Sequence, residues 1–175
     1  MQTSYNYYMV IFDASTLILL AKIDMLGFFV SDFHGMVLIP EKVRAEVCIE
    51  GGREETSLIV KLIKDKKITV SKAKNTKLVR KLMEDFAIDA GEAEVLTLAL
   101  QGKAAIVATD DRNAIRACKI LKIDFTNAIA VLIRAFEKKL IDKDEAIIKL
   151  QELESVARYN RAIIEDARKH IGGGV

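Results

Sequence analysis

The chain has 175 residues, 51% of them hydrophobic, and a formal net charge of +2. This length supports one hydrophobic core and is short for two, so we expect a single domain over residues 1–175. The longest apolar runs, such as residues 17–21, fall far short of the roughly 20 residues that cross a bilayer, and the N-terminal segment lacks a signal-peptide pattern. The composition therefore predicts a cytoplasmic protein with no membrane contact.

Basic residues concentrate at positions 61–81, where nine Lys or Arg accompany one Asp. A solvated helix face and a phosphate-binding surface explain this run equally well. Two histidines and two cysteines leave little for a zinc site or a histidine-based triad. Cys48 and Cys118 each lie in an amphipathic segment without a CxxC motif and are predicted to be core thiols. Candidate chemistry therefore rests on carboxylates.

Strand-like and helix-like segments alternate along the chain. Short apolar runs predict strands at 9–12, 36–39, 68–70, 104–108 and 123–125. Helical patterns follow at 17–26, 40–47 with Pro40 in the first turn, 54–66, 77–86, 89–101, 113–121, 127–138 and 142–170. This alternation predicts an α/β fold, a three-layer α/β/α arrangement with a mainly parallel sheet of about five strands. The helices from about residue 127 are apolar enough to complete the core or to form an oligomer interface.

Acidic residues follow the ends of the predicted strands. Asp13 comes directly after the first strand, and Asp110 and Asp111 come after the fourth. Glu46 lies less than two turns into the helix that leaves the second strand. Because ligands of open parallel sheets bind beyond the carboxyl ends of the strands, we expect these acids to share one crevice.

Helix capping offers a structural explanation for most of these acids. Asp13 and Asp111 fit N-caps, and Asp89 with Glu92 fits a capping box. Capping does not explain Glu46, which interrupts an apolar helix face. Carboxylates held close together raise each other's pKa unless a cation neutralises them, so the joint pattern favours a metal site. Oxygen ligands alone favour Mg²⁺ or Mn²⁺ over Zn²⁺.

Four segments carry a family resemblance over roughly residues 9–140. In chain order they read VIFDAST, IPEKVRAEV, GEAEVLTLAL and IVATDDRNA. With this order and spacing the chain resembles the PIN-domain nucleases, in particular the compact prokaryotic group that includes VapC-type toxins and uncharacterised PIN-like relatives. The resemblance implies the PIN fold and metal-dependent hydrolysis of phosphodiester bonds.

The resemblance also implies a set of site residues. The catalytic acids would be Asp13, Glu46, Glu92 and Asp111, and the metal ligands Asp13, Glu92 and Asp111. A T-x-D pattern selects Asp111, with Asp110 as an alternative or additional ligand. Weaker candidates for substrate binding are Ser15 and Thr109, which match small hydroxyl residues of the family, and Arg112, which is chosen by its position alone, as are Lys42 and Arg44. Glu92 departs from the Asp that is common at this position in VapC-type toxins.

The function implied is that of a Mg²⁺- or Mn²⁺-dependent endoribonuclease that hydrolyses the phosphodiester bonds of single-stranded or structured RNA. The protein could be the toxin of a toxin–antitoxin pair, with an antitoxin protein as its partner. We also expect it to form a homodimer. A catalytically inactive PIN-like module that binds RNA or protein is the alternative. A phosphohydrolase of the haloacid dehalogenase type would need an Asp where Ser15 stands, and a receiver-like domain would need a pair of acids at the first strand.

Overall fold

A computed structural model of the chain describes residues 9–102 and 105–173. Its five strands form one sheet in the order β3-β2-β1-β4-β5, and every neighbouring pair is parallel. The strands are β1 (Met9–Phe12), β2 (Met36–Pro40), β3 (Thr69–Ser71), β4 (Ala105–Ala108) and β5 (Asp124–Thr126). Helices cover the sheet, which confirms the predicted three-layer α/β/α fold with a parallel five-stranded sheet. Ala104, predicted to begin the fourth strand, lies outside the described residues.

Ten helices fall within the described part of the chain. They are α1 (Ala14–Lys22), α2 (Leu26–Asp32), α3 (Glu41–Glu50), α4 (Arg53–Lys64), α5 (Thr76–Phe86), α6 (Ala90–Gln101), α7 (Arg112–Leu121), α8 (Ala128–Glu137), α9 (Lys143–Val156) and α10 (Arg161–Gly172). The first predicted helix is interrupted at residues 23–25, and the segment 142–170, predicted to be helical with short breaks, is interrupted at residues 157–160. Pro40 ends β2 and serves as the N-cap of α3, so its predicted place in the first helical turn was wrong by one position.

The core lies on both faces of the sheet. Residues 10–12 of β1 are completely buried, which explains why the strand is a continuous apolar run rather than an alternating one. Leu132, Leu150 and Ile164 of the last three helices are buried in the same core, whereas Leu140 and Ile148 are exposed. Cys118 is buried as predicted, but Cys48 is exposed on α3 and the core prediction for it was wrong.

The strand register brings several chain segments to one edge of the sheet. Phe12 is paired with Ala108, and Ala108 with Thr126, so β1, β4 and β5 end level with one another. β1 lies between β2 and β4. The chain after β1 continues towards β2, whereas the chain after β4 continues towards β5, so a crevice opens between the ends of β1 and β4. Among the described residues no single helix is long and apolar enough to cross a membrane. Helices α1 and α2 reach the required length and apolar composition only when counted together, and they are bent by 108° relative to each other.

Candidate active site

Asp13 lies at the centre of this crevice and is held by three neighbours. Its extended backbone ends β1 and makes it the N-cap of α1, where its Oδ1 accepts hydrogen bonds from Thr16 N (2.9 Å) and Ser15 Oγ (3.0 Å). Its Oδ2 accepts a hydrogen bond from the Thr109 hydroxyl, directly after β4. Only 3% of Asp13 is exposed, and burial raises its pKa to about 6 in spite of these donors. The predicted cap is therefore real, and it fixes the carboxylate in place.

Glu46 reaches the crevice from α3 by packing against a glycine of α6. A Cβ built on Gly91 would lie 2.8 Å from Oε2 and 2.9 Å from Cδ of Glu46, and nearer still to Oε1. Any larger residue at position 91 would therefore displace this carboxylate. Burial raises the pKa of Glu46 to about 7. The charges of Asp89 and of other acids, among them Asp13, raise it by smaller amounts. Within the described residues, neither Glu46 oxygen accepts a hydrogen bond.

Glu92 begins α6 beside that glycine. It forms the predicted capping box with Asp89, since Glu92 N donates to Asp89 Oδ1 (2.8 Å) and Asp89 N donates to Glu92 Oε2 (3.0 Å). Burial raises the pKa of Glu92 to about 7, and the charges of Asp89, Asp111 and Asp13 raise it further. Capping uses one Glu92 oxygen, which leaves Oε1 without a hydrogen-bond donor in the described part of the protein.

Asp111 caps α7 in the same manner. Its Oδ1 accepts from Asn113 N (2.8 Å) and Ala114 N (2.9 Å), while its own N donates to Thr109 Oγ1 (3.2 Å). Thr109 therefore contacts both Asp13 and Asp111, which ties the ends of β1 and β4 together. The second carboxylate oxygen of Asp111 accepts no hydrogen bond from any described residue.

Asp110 differs from its neighbour because both of its oxygens are fully engaged. Oδ2 accepts from Thr16 Oγ1 (2.6 Å) and Ala128 N (3.2 Å), and Oδ1 accepts from the Tyr159 hydroxyl. These donors belong to α1, α8 and the turn between α9 and α10. Burial and the Asp110 charge raise the pKa of Tyr159, so this hydroxyl keeps its proton and remains a donor. Tyr159 was missed in the sequence because no local pattern links a turn residue to an acid 49 positions earlier.

The remaining candidates lie at the rim of the crevice. Arg112 is the exposed first residue of α7, and Lys42 and Arg44 are exposed on α3. Lys42 N donates to Glu94 Oε2 at 3.3 Å, so the Glu94 carboxylate accepts a backbone hydrogen bond from the first turn of α3. Ser15 is exposed beside Asp13, and Thr109 is buried beneath it.

The donor set fits a hard divalent cation in its chemistry. The acids of the crevice offer oxygen donors only, and unpartnered oxygens remain on Glu46, Glu92 and Asp111. Burial, and after it the charges of neighbouring acids, raises the pKa values of Glu46 and Glu92 and so disfavours their charged forms, a cost that a cation removes. However, no three His, Cys, Asp or Glu within residues 9–102 and 105–173 are arranged to hold one ion. Ligation by three of these acids therefore requires their side chains to turn towards a common point.

Comparison with protein-family models identifies a family for most of the chain. The family model DUF3368, described as a PIN domain, matches residues 9–172 and so covers the whole sheet and all ten described helices. Neither the curated proteins nor the solved structures contain a significant match.

Proposed function

Since this chain belongs to the PIN-domain family, a group with a nuclease-type fold, we propose that it is a metal-dependent endoribonuclease. One observation carries the proposal. Asp13, Glu46, Glu92 and Asp111 come from four different elements, yet they lie at one edge of the sheet. The charge of Asp13 raises the pKa of both Glu46 and Glu92, and the charge of Asp111 raises that of Glu92. A fold rarely assembles four acids in this way for stability, because like charges in a partly buried crevice destabilise it.

The four acids divide into two groups by how firmly they are held. Asp13, Glu92 and Asp111 each cap a helix and so project from rigid backbone, and we assign them to binding the cation. A bound Mg²⁺ or Mn²⁺ would activate water and neutralise the charge that develops on the phosphate. Glu46 accepts no hydrogen bond from described residues, and we assign it to orienting the attacking water and accepting its proton.

The decisive experiment compares two conservative changes at helix N-caps. Asp13→Asn removes a charge from the crevice, whereas Asp142→Asn makes the same change at the N-cap of α9, where Oδ1 accepts from Glu145 N (2.8 Å). Asn caps helices as well as Asp does, so both variants should fold. Labelled single-stranded RNA and DNA of equal sequence are incubated with each protein in Mg²⁺, Mn²⁺ or EDTA.

We expect cleavage of the RNA by the parent and by Asp142→Asn in either metal, and none in EDTA. Asp13→Asn should be at least about 100-fold slower, since even the loss of an outer-shell partner costs a metal site 10–100-fold. Cleavage that survives both the Asp13 substitution and EDTA would refute the metal mechanism. A parent that binds RNA and Mn²⁺ but cuts nothing would support the inactive binding module instead.

The expected partners extend this proposal. We propose a homodimer that uses the exposed apolar residues Leu140 and Ile148, and Leu140→Ser with Ile148→Ser should convert it to a monomer in light scattering. A toxin role, with an antitoxin protein as partner, predicts that induced expression arrests growth in bacteria and that Asp13→Asn relieves the arrest. Growth that continues with active parent enzyme would favour an RNA-processing role.

A further inference from the structure

A groove of about 490 Å³ opens beside the acidic crevice. We call it the side groove. It lies between α1, the start of α7, and the turn that joins α9 to α10. Ser15 and Asp110 line it beside the acids. Ser15 donates to Asp13, and Asp110 accepts from Thr16, whose backbone N–H donates to Asp13. A ligand in the side groove would therefore lie directly next to the phosphodiester held at the acids.

Three cations surround the side groove. Lys22 ends α1, Arg112 begins α7, and Arg158 lies in the turn before α10. All three are exposed, and none forms an ion pair or a side-chain hydrogen bond with a described residue. Two acids also line the groove, Asp110 and the exposed Glu50, and the oxygens of Asp110 are already engaged by their three donors. Cations without partners around a cavity are available to an anionic ligand such as a phosphate.

The wall of the side groove is apolar and aromatic. Ile18 and Leu19 of α1, Ile163 of α10 and Tyr159 in the α9–α10 turn all line it. Apolar and aromatic walls receive the flat face of a nucleobase, and stacking of this kind tolerates any base. The volume suits one or two nucleotides, and a base stacked inside a duplex could not enter.

We propose that the side groove binds one nucleotide of single-stranded RNA next to the cleaved phosphodiester, with its phosphate at Lys22 and Arg158 and its base against Ile163. This inference rests on the proposed function for the identity of the ligand. It adds a subsite outside the acidic crevice that contacts the backbone and one base of the substrate without reading its sequence.

The test measures binding separately from cleavage. A fluorescein-labelled single-stranded RNA octamer is titrated with the full-length Asp13→Asn protein in Mg²⁺, at several salt concentrations, by fluorescence anisotropy. Lys22→Gln with Arg158→Gln removes two groove cations. Lys169→Gln is the matched control, because Lys169 is also an exposed lysine in the last turn of a helix but does not line the groove.

We expect the double variant to bind roughly tenfold more weakly and its salt dependence to flatten by about 0.7 in slope, because the two cations share one phosphate. Lys169→Gln should bind as the parent does. Glu50→Gln should have the opposite sign and tighten binding, since it removes the exposed acid of the groove. A duplex of the same length should bind equally to the parent and the double variant.

The base contact has its own test. Ile163 is 47% exposed, so Ile163→Ala should fold normally. A series of octamers, each with one abasic residue, first identifies the nucleotide that occupies the groove. Ile163→Ala should weaken binding of the intact octamer but not of the octamer that lacks this base. Equal binding by the parent, the double cation variant and Ile163→Ala would overturn the inference, as would a parent that binds no RNA. RNA binding that depends on the groove without cleavage in the parent would overturn the nuclease proposal alone.

Discussion

Replacing Gly91 by alanine should displace Glu46 and leave the fold intact. The new Cβ would lie 2.8 Å from Glu46 Oε2 and 2.9 Å from Cδ. These atoms end a flexible side chain, so the clash is relieved by a change of rotamer rather than by backbone movement. The carboxylate would retreat by roughly 1 Å to reach an ordinary van der Waals distance.

Activity and stability should then change in opposite directions. Misplacement of a reacting group by about 1 Å can cost about 100-fold in rate, so we expect RNA cleavage to slow by about 10- to 100-fold. Gly91 does not have a positive φ, and alanine at a compatible helical position stabilises a protein by about 0.4–1 kcal/mol. The variant should therefore unfold at the same or a higher urea concentration than the parent.

A double-mutant cycle isolates the contact. Single-turnover cleavage is measured for Gly91→Ala, Glu46→Ala and the combination, and Gly27→Ala serves as control because nothing lies within 4 Å of a Cβ at that helical glycine. Once Glu46 is alanine, the Gly91 change should have no further effect. Two outcomes would contradict this role of the Glu46–Gly91 contact. Gly91→Ala could cut RNA at the parental rate, or adding it to Glu46→Ala could slow cleavage by the same factor as adding it to the parent.

Four further substitutions test the charge of the crevice, the choice of metal ligand and the hydrogen bond from Tyr159. In EDTA the free energy of unfolding should fall as pH rises from 4.5 through about 7, because folded Glu46 keeps a proton that the unfolded chain has released. Glu46→Gln should recover about 1 kcal/mol of that loss at pH 8 in urea denaturation, after allowance for solvent exposure, and an unchanged pH profile would contradict the raised pKa. Asp111→Asn keeps the α7 cap but should lower Mn²⁺ affinity in calorimetry, whereas Asp110→Asn should mainly lower stability. A greater loss of Mn²⁺ affinity in Asp110→Asn than in Asp111→Asn would reverse our choice between the two. Tyr159→Phe removes one donor to a charged acceptor and should cost about 1.5–3 kcal/mol in urea denaturation, and a smaller change would mean that this hydrogen bond adds little.

The sheet could be predicted because each strand reads as a short apolar run between helix signals. Parallel strands are covered on both faces, so their sequences need no alternation. The division of the first helical segment could not be predicted. The chain reverses near Asp24, a residue with φ 55 where glycine is usual, and neither Gly nor Pro marks the break between α1 and α2. The tertiary structure imposes that turn against the local preference.

Capping and metal binding are competing explanations in the sequence but compatible ones in three dimensions. A helix cap needs one carboxylate oxygen, as at Glu92, where Oε2 completes the capping box, and at Asp111, where Oδ1 accepts both backbone bonds. The second oxygen of each remains available. Capping also fixes the direction of the side chain, which is what a ligand requires. Cap signals at the carboxyl ends of parallel strands are therefore no argument against a site there.

Asp110 marks the limit of the argument from sequence. The T-x-D spacing favours Asp111 over Asp110 but gives no role to the residue between. Its donors lie 94, 18 and 49 positions away, so only the folded chain brings Thr16, Ala128 and Tyr159 to it. Through these three hydrogen bonds Asp110 joins α1 and the crevice to the C-terminal helices. Because Tyr159 and Asp110 also line the side groove, this one acid connects the wall of the proposed RNA subsite to the strand end that carries Thr109 and Asp111.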